Sequence, residues 1–127
     1  MATNPHRLTR FALAAVVAAA ALTACGGRSE VDLTASGKEL LAKNDLPGAI
    51  IQFKSALQKQ PDYAEARMLL GKALLENGDP VSAVVEFGKA QELQTPQEQV
   101  VPPLARAMLL MGDEKKVLAQ FAKTRLN

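Results

Sequence analysis

A 34-residue period limits how this chain can fold more than any other feature. Past residue 30 the phenylalanines fall at Phe53, Phe87 and Phe121, each 34 residues after the last. The same offset relates Asp45, Asp79 and Asp113, and likewise Asn44, Gly78 and Gly112. Ala49 and Ala83 lead to Val117, Ala56 and Ala90 lead to Thr124, and Gly37 and Gly71 lead to Ala105. Six columns of matched chemistry at one offset mean that one supersecondary unit is written three times. A unit this short cannot bury its apolar face alone, so the copies are expected to stack.

The columns also say what the unit is. Gly37, Gly71 and Ala105 are small where the first helix of a pair must approach the second. Ala49 and Ala83 form the other side of that contact, with Phe53 and Phe87 filling the space beside it. Gly78-Asp79-Pro80 reads as a helix-terminating Gly, a capping Asp and a Pro at the first helical position. Asn44-Asp45 and Gly112-Asp113 repeat the device. Helices are predicted near 32–43, 46–59, 62–77, 80–93, 97–111 and 114–125. Pro102 and Pro103 fall inside the fifth, which is expected to kink or to restart at Pro102.

The pattern resembles the tetratricopeptide repeat, whose W-x₂-L-G-x₂-Y…A-x₃-F…P motif has this period. Leu70-Gly71-x₂-Leu74, Ala49-x₃-Phe53, Ala83-x₃-Phe87 and Pro61 follow it, with Arg67 at the Trp position. The resemblance implies an all-α, right-handed superhelical stack of antiparallel helix hairpins over residues 31–127. Its three repeats are expected at about 30–61, 64–95 and 98–127. The sequence stops at Asn127, in the last turn of the sixth helix, with no polar capping helix after it, so Val117, Leu118, Phe121 and Leu126 are expected to lack a next neighbour. The expectation is the start of a longer array, with cover by another chain as the alternative.

Residues 1–24 read differently. Met1–Arg10 is polar and positive, and Phe11–Ala24 is a run of 14 nearly all apolar residues. A membrane-spanning helix needs about 20, so the order of segments reads as a secretory signal peptide. Leu22-Thr23-Ala24-Cys25 resembles a bacterial lipobox, which implies that the Cys25 thiol carries a diacylglycerol. The lone cysteine has no internal disulfide partner. A diacylglyceryl group with an amide-linked chain holds a protein stably where one chain does not. Gly26, rather than Asp, after the cysteine fits sorting to an outer membrane on its periplasmic side. Residues 25–30 are read as a lipidated flexible tether.

Charge and composition exclude other functions. The net charge of +2 comes from Arg7 and Arg10, and the rest of the chain sets 13 basic against 13 acidic residues. Phosphate-backbone binding needs a clustered cationic excess, so no nucleic-acid partner is expected. His6 is the only histidine and lies in the leader. Histidine-based catalysis and His-ligated metals are therefore not expected in the body. Neither a Gly-rich phosphate loop nor a carboxylate pair at catalytic spacing is visible, so no catalytic residue, metal or cofactor is assigned.

Two further columns point to a binding surface. Lys38, Lys72 and Arg106 form a basic ladder at the 34-residue offset. Leu41, Leu75 and Leu109, three residues on, form an apolar ladder on nearly the same face. Tetratricopeptide stacks bind extended or helical protein segments on the concave side, so these six residues are a candidate groove for acidic and apolar side chains. The alternative is solvated lysines beside ordinary packing leucines. Thr34, Gln99 and Pro103 stand where the carboxylate-clamp members of the family use Lys, Lys and Arg, so a chaperone-tail ligand is not implied. The lipobox and the stretches Lys38–Pro80 and Pro103–Gly112 are similar to the start of the tetratricopeptide lipoproteins of exosortase/PEP-CTERM systems. That resemblance implies a membrane-anchored scaffold associated with surface-protein sorting and exopolysaccharide export. The alternative is a pilotin-like or assembly-factor lipoprotein for a pilus secretin or for outer-membrane protein biogenesis.

Overall fold

The computed structural model describes residues 27–124. Among them are six helices: α1 (Glu30–Ala42), α2 (Leu46–Lys59), α3 (Ala64–Glu76), α4 (Pro80–Glu92), α5 (Gln97–Leu110) and α6 (Glu114–Phe121). They pair as hairpins α1/α2, α3/α4 and α5/α6, and each helix packs chiefly on its neighbours in chain order. The result is a solenoid in which the core runs along the stack as one continuous cluster. No helix among the described residues is long and apolar enough to cross a membrane. The proposed signal peptide and Cys25 lie outside those residues.

The three hairpin turns are one local structure repeated. After α1, Asp45 N–H donates to Leu40 O and Asn44 N–H to Leu41 O. Asp79 and Gly78 make the same two bonds to Leu74 and Leu75, and Asp113 and Gly112 make them to Met108 and Leu109. This crossed pair satisfies the last helical carbonyls and requires a left-handed residue at its centre. Asn44, Gly78 and Gly112 all have φ between 59° and 83°. Gly suits these positions because it has no Cβ to crowd the neighbouring carbonyl, and Asn tolerates the left-handed conformation better than most other residues. Asp45 then caps α2 by accepting from Gly48 N–H at 2.9 Å, and Asp79 caps α4 by accepting from Ser82 N–H at 3.0 Å.

Within the first two hairpins the small-residue column does what its spacing predicts. Phe53 and Phe87 are wholly buried, as are Ala49 and Ala83. A Cβ placed on Gly71 would lie 2.6 Å from the Phe87 ring, and one on Gly37 would intrude on Phe53 further still. The aromatic edge therefore occupies the space that a side chain on the facing helix would take.

Two expectations need correction. Ser29 and Glu30, assigned to the tether, belong to the start of α1. Ser29 Oγ accepts from Asp32 N–H, while the Asp32 carboxylate accepts from Ser29 N–H, both at 3.1 Å. This reciprocal box starts the helix two residues earlier than apolar spacing alone suggests. Second, α5 does not restart at Pro102: it runs unbroken from Gln97 to Leu110 through both prolines. The carbonyls that lose their donors belong to Glu98 and Gln99, which are exposed and open to water. Buried Val100, Val101 and Leu104 hold the helix to the core on either side of the defect.

Candidate functional site

The first helices of the hairpins, α1, α3 and α5, carry the residues of the two predicted ladders, and the ladders do not form uniform rows. Leu75 is only 8% exposed and belongs to the core, so it offers no groove surface. Leu41 is half-buried against the core, and Leu109 is 48% exposed. One column thus spans the whole range of burial. The middle helix α3 is covered by α2, α4 and part of α5, whereas α5 is covered firmly only by α4.

The basic ladder is also uneven. Lys38 Nζ donates to Glu65 Oε1, joining α1 to α3. Tyr63 Oη donates to the other oxygen of Glu65 at 2.9 Å. The Lys38 ammonium first, and the Tyr63 hydroxyl second, hold the Glu65 carboxyl below the usual carboxylate range. The same bond to Glu65 pushes the Tyr63 phenol up. Both partners of the ion pair are about half exposed, at 51% and 45%, so it contributes at most about 1 kcal/mol.

Lys72, one repeat later, makes no ion pair among the described residues. The position equivalent to Glu65 is Gln99 and that equivalent to Tyr63 is Gln97, so the anionic partner is missing. Arg106 is exposed at the third step. Between α3 and α5 lies a pocket of about 490 Å³ whose wall includes Lys72 and Gln99. Met68, Leu69, Leu93 and Pro96 supply its apolar surface, and Glu65, Ala64, Gln94 and Thr95 complete it. The Thr95 hydroxyl oxygen is enclosed and has no hydrogen-bond partner. Gln94 adopts φ 60°, and Thr95 N–H and Gln94 N–H donate back to Ala90 and Gln91 carbonyls. The α4–α5 connection is therefore closed by a helix-terminating turn. The α2–α3 connection has no such turn: Gln60, the counterpart of Gln94, is extended at φ −133°.

Sequence reasoning missed two features of this region. Glu65 and Gln99 lie at the 34-residue offset, so applying the same search to acidic residues would have exposed the substitution. Arg67 drew attention only as a replacement for Trp. Its guanidinium donates from Nε and Nη2 to Pro61 O at 3.0 and 2.8 Å, and from Nη1 to Glu86 at 2.6 Å. Lys89 adds a second contact to Glu86 at 3.3 Å. Arg67 thus fastens the α2–α3 connection to α4 on the side where an indole would have packed. Thr34, by contrast, is buried with its hydroxyl donating to Glu30 O at 2.7 Å, so it faces no groove.

Periodicity, hairpin geometry and the interlocked Gly and Phe residues agree with one comparison. Residues 34–94 match the Tetratricopeptide repeat family. The matched region begins in α1 and stops at Gln94, the left-handed residue that closes α4. It thus takes in the two hairpins in which Gly and Phe interlock, and leaves out α5 and α6. No curated protein matched the chain. Repeats of that family are generally interaction scaffolds. The α3–α5 pocket lies on the face formed by the first helices of the hairpins.

Proposed function

We infer that the protein is a non-enzymatic, lipid-anchored scaffold that binds a segment of another protein on the face formed by α1, α3 and α5. The observation that carries this reading is the α3–α5 pocket, where apolar surface and the ammonium of Lys72 are exposed together. Groove recognition of an extended or helical segment uses both kinds of contact. Acylation at Cys25 holds the scaffold on a bacterial envelope membrane, with the periplasmic side of the outer membrane as the proposed location. The lipobox and Gly26 support that placement. The narrower role, in an exosortase/PEP-CTERM system associated with exopolysaccharide, rests on the resemblance of the lipobox and of the stretches Lys38–Pro80 and Pro103–Gly112.

Site-specific photocrosslinking in cells tests the reading. A crosslinker at Leu69, in the pocket, should capture a discrete protein partner, and one at Val85 on α4 should not. Capture of export or surface-sorting components supports the narrow role, whereas secretin or pilus components favour the pilotin-like alternative. Equal capture from both positions, or none from Leu69, would defeat the groove. Cys25→Ser should release the protein from the membrane fraction, and retention there would defeat the anchor.

A further inference from the structure

Comparing the two steps along this face shows what the second one lacks. At the first, a glutamate from the first helix of the next hairpin neutralises the lysine: Lys38 meets Glu65, which Tyr63 also holds. At the second, the lysine is retained as Lys72 but the glutamate and tyrosine positions hold Gln99 and Gln97. Lys72 and Gln99 both border the 490 Å³ pocket, with Met68, Leu69, Leu93 and Pro96 beside them. Lys72 has no anionic partner among the described residues; Glu76, one turn along α3, neither pairs with it nor borders the pocket. Glu65 does border the pocket, but Lys38 and Tyr63 already neutralise and orient its carboxylate.

We propose that the α3–α5 pocket takes the side-chain carboxylate of an Asp or Glu from a partner protein, which stands at Lys72 where Glu65 stands at Lys38, with an adjacent apolar residue of the partner seated on Leu69, Leu93 and Pro96. The proposal rests on the protein-binding reading above and names the chemistry of its ligand. Charge complementarity selects the occupant: an ammonium beside an apolar surface favours a carboxylate that brings its own apolar neighbour. A side chain is specified because the neighbouring step solves the same problem with one, presented from a helix. The basic ladder therefore has different roles at successive steps. Lys38 is consumed inside the fold, and Lys72 is the step left for a ligand.

The test supplies the missing carboxylate from within. Gln99 is the third residue of α5, where an acidic side chain suits the helix N-terminus, so Gln99→Glu should fold normally. The purified full chain is probed with arrays of short random peptides, one set with free and one with amidated C-termini. Wild type should retain, from both sets, peptides in which Asp or Glu adjoins Leu, Ile, Met or Phe. For those peptides Gln99→Glu and Lys72→Gln should each weaken binding about tenfold, the scale of one charge-assisted hydrogen bond. Lys72→Glu should recover affinity for peptides whose acid is replaced by Lys. Circular dichroism and thermal melting of each variant should match wild type. Bound peptides without acidic residues, or undiminished binding by Gln99→Glu, would overturn the proposal while leaving the groove intact, provided Leu69→Glu abolishes binding. Retention of free C-termini alone would also overturn it, since the carboxylate would then be a main-chain one. No retained peptide, or loss on Val85→Glu and not on Leu69→Glu, would overturn both the proposal and the groove reading beneath it.

Discussion

The first two hairpins and the third are spelled with the same columns, yet they pack differently. In α1/α2 and α3/α4 a glycine faces a fully buried phenylalanine, and the second helix contributes buried alanines to the core. In α5/α6 the glycine is Ala105, Phe121 is only half-buried, and α6 has no fully buried residue. Ala105 carries a methyl at the column where a Cβ on Gly37 or Gly71 would collide with the facing ring. Capping differs as well. The Asp45 and Asp79 side chains accept from backbone N–H groups, whereas the Asp113 carboxylate makes no such bond and pairs with Lys116 at 3.0 Å. Leu118 is left 66% exposed on α6. A repeat column therefore carries its structural role only when the facing residue in the same unit is also kept.

That contrast gives a graded set of expectations. The largest concerns the aromatic column. Phe87→Ala should cost about 3–5 kcal/mol, since it removes a wholly buried ring from a packed core. Phe121→Ala should cost well under half as much, and equal losses in chemical denaturation would remove the distinction between the hairpins. Next, Gly71→Ala should destabilise by about 1–3 kcal/mol through collision with Phe87, despite the better helix propensity of alanine. Ala105→Gly should be nearly neutral, because deeper seating of Phe121 offsets the helix cost of glycine. Hydrogen exchange at α6 should slow in that variant, and unchanged exchange would show that Ala105 is not what holds Phe121 out.

Capping gives a smaller effect. Asp79→Ala should lower stability by about 1 kcal/mol, and Asp113→Ala by a few tenths at most, as read from paired thermal melts. The smallest effect is on acid sensitivity. The bond from Ser82 holds the Asp79 carboxyl below its ordinary range, and Lys38 does the same for Glu65. A carboxyl whose folded pKa is depressed adds stability above its unfolded value, and that stability is lost as pH falls through the folded value. The melting temperature should therefore drop as pH falls from about 4, the ordinary carboxylate range. Asp79→Asn should flatten part of that slope, and an unaltered slope would place the acid-sensitive groups elsewhere.

Much of the fold was legible because its signals are local. The left-handed positions fall on Asn44, Gly78 and Gly112, residue types that betray a turn, and the capping aspartates follow directly. The Gly and Phe columns could be paired across a hairpin because one offset carries both. Gln94 was not legible: nothing in glutamine announces φ 60°, and the turn exists because α4 must end where α5 begins. The helix over Gln97–Leu110 was legible, but that it would not restart at Pro102 was not, since burial of Val100, Val101 and Leu104 outweighs the propensity of two prolines. In the candidate site, Lys72 was legible as a basic step on an A-helix face. That Lys38 is already neutralised was not, because its partner lies 27 residues away on another helix.

The sequence by itself determined the unit of construction: a helical hairpin of fixed period, with its turn, its caps and its interlocking Gly and Phe, all set by contacts within about 34 residues. Tertiary structure alone decided which repeated residues remain available to a partner. Leu41, Leu75 and Leu109 share one register but differ in burial, and Lys38 and Lys72 share one register but differ in pairing. The physical reason is that exposure and charge compensation depend on what the neighbouring hairpins place against a position, and the repeat pattern does not specify that.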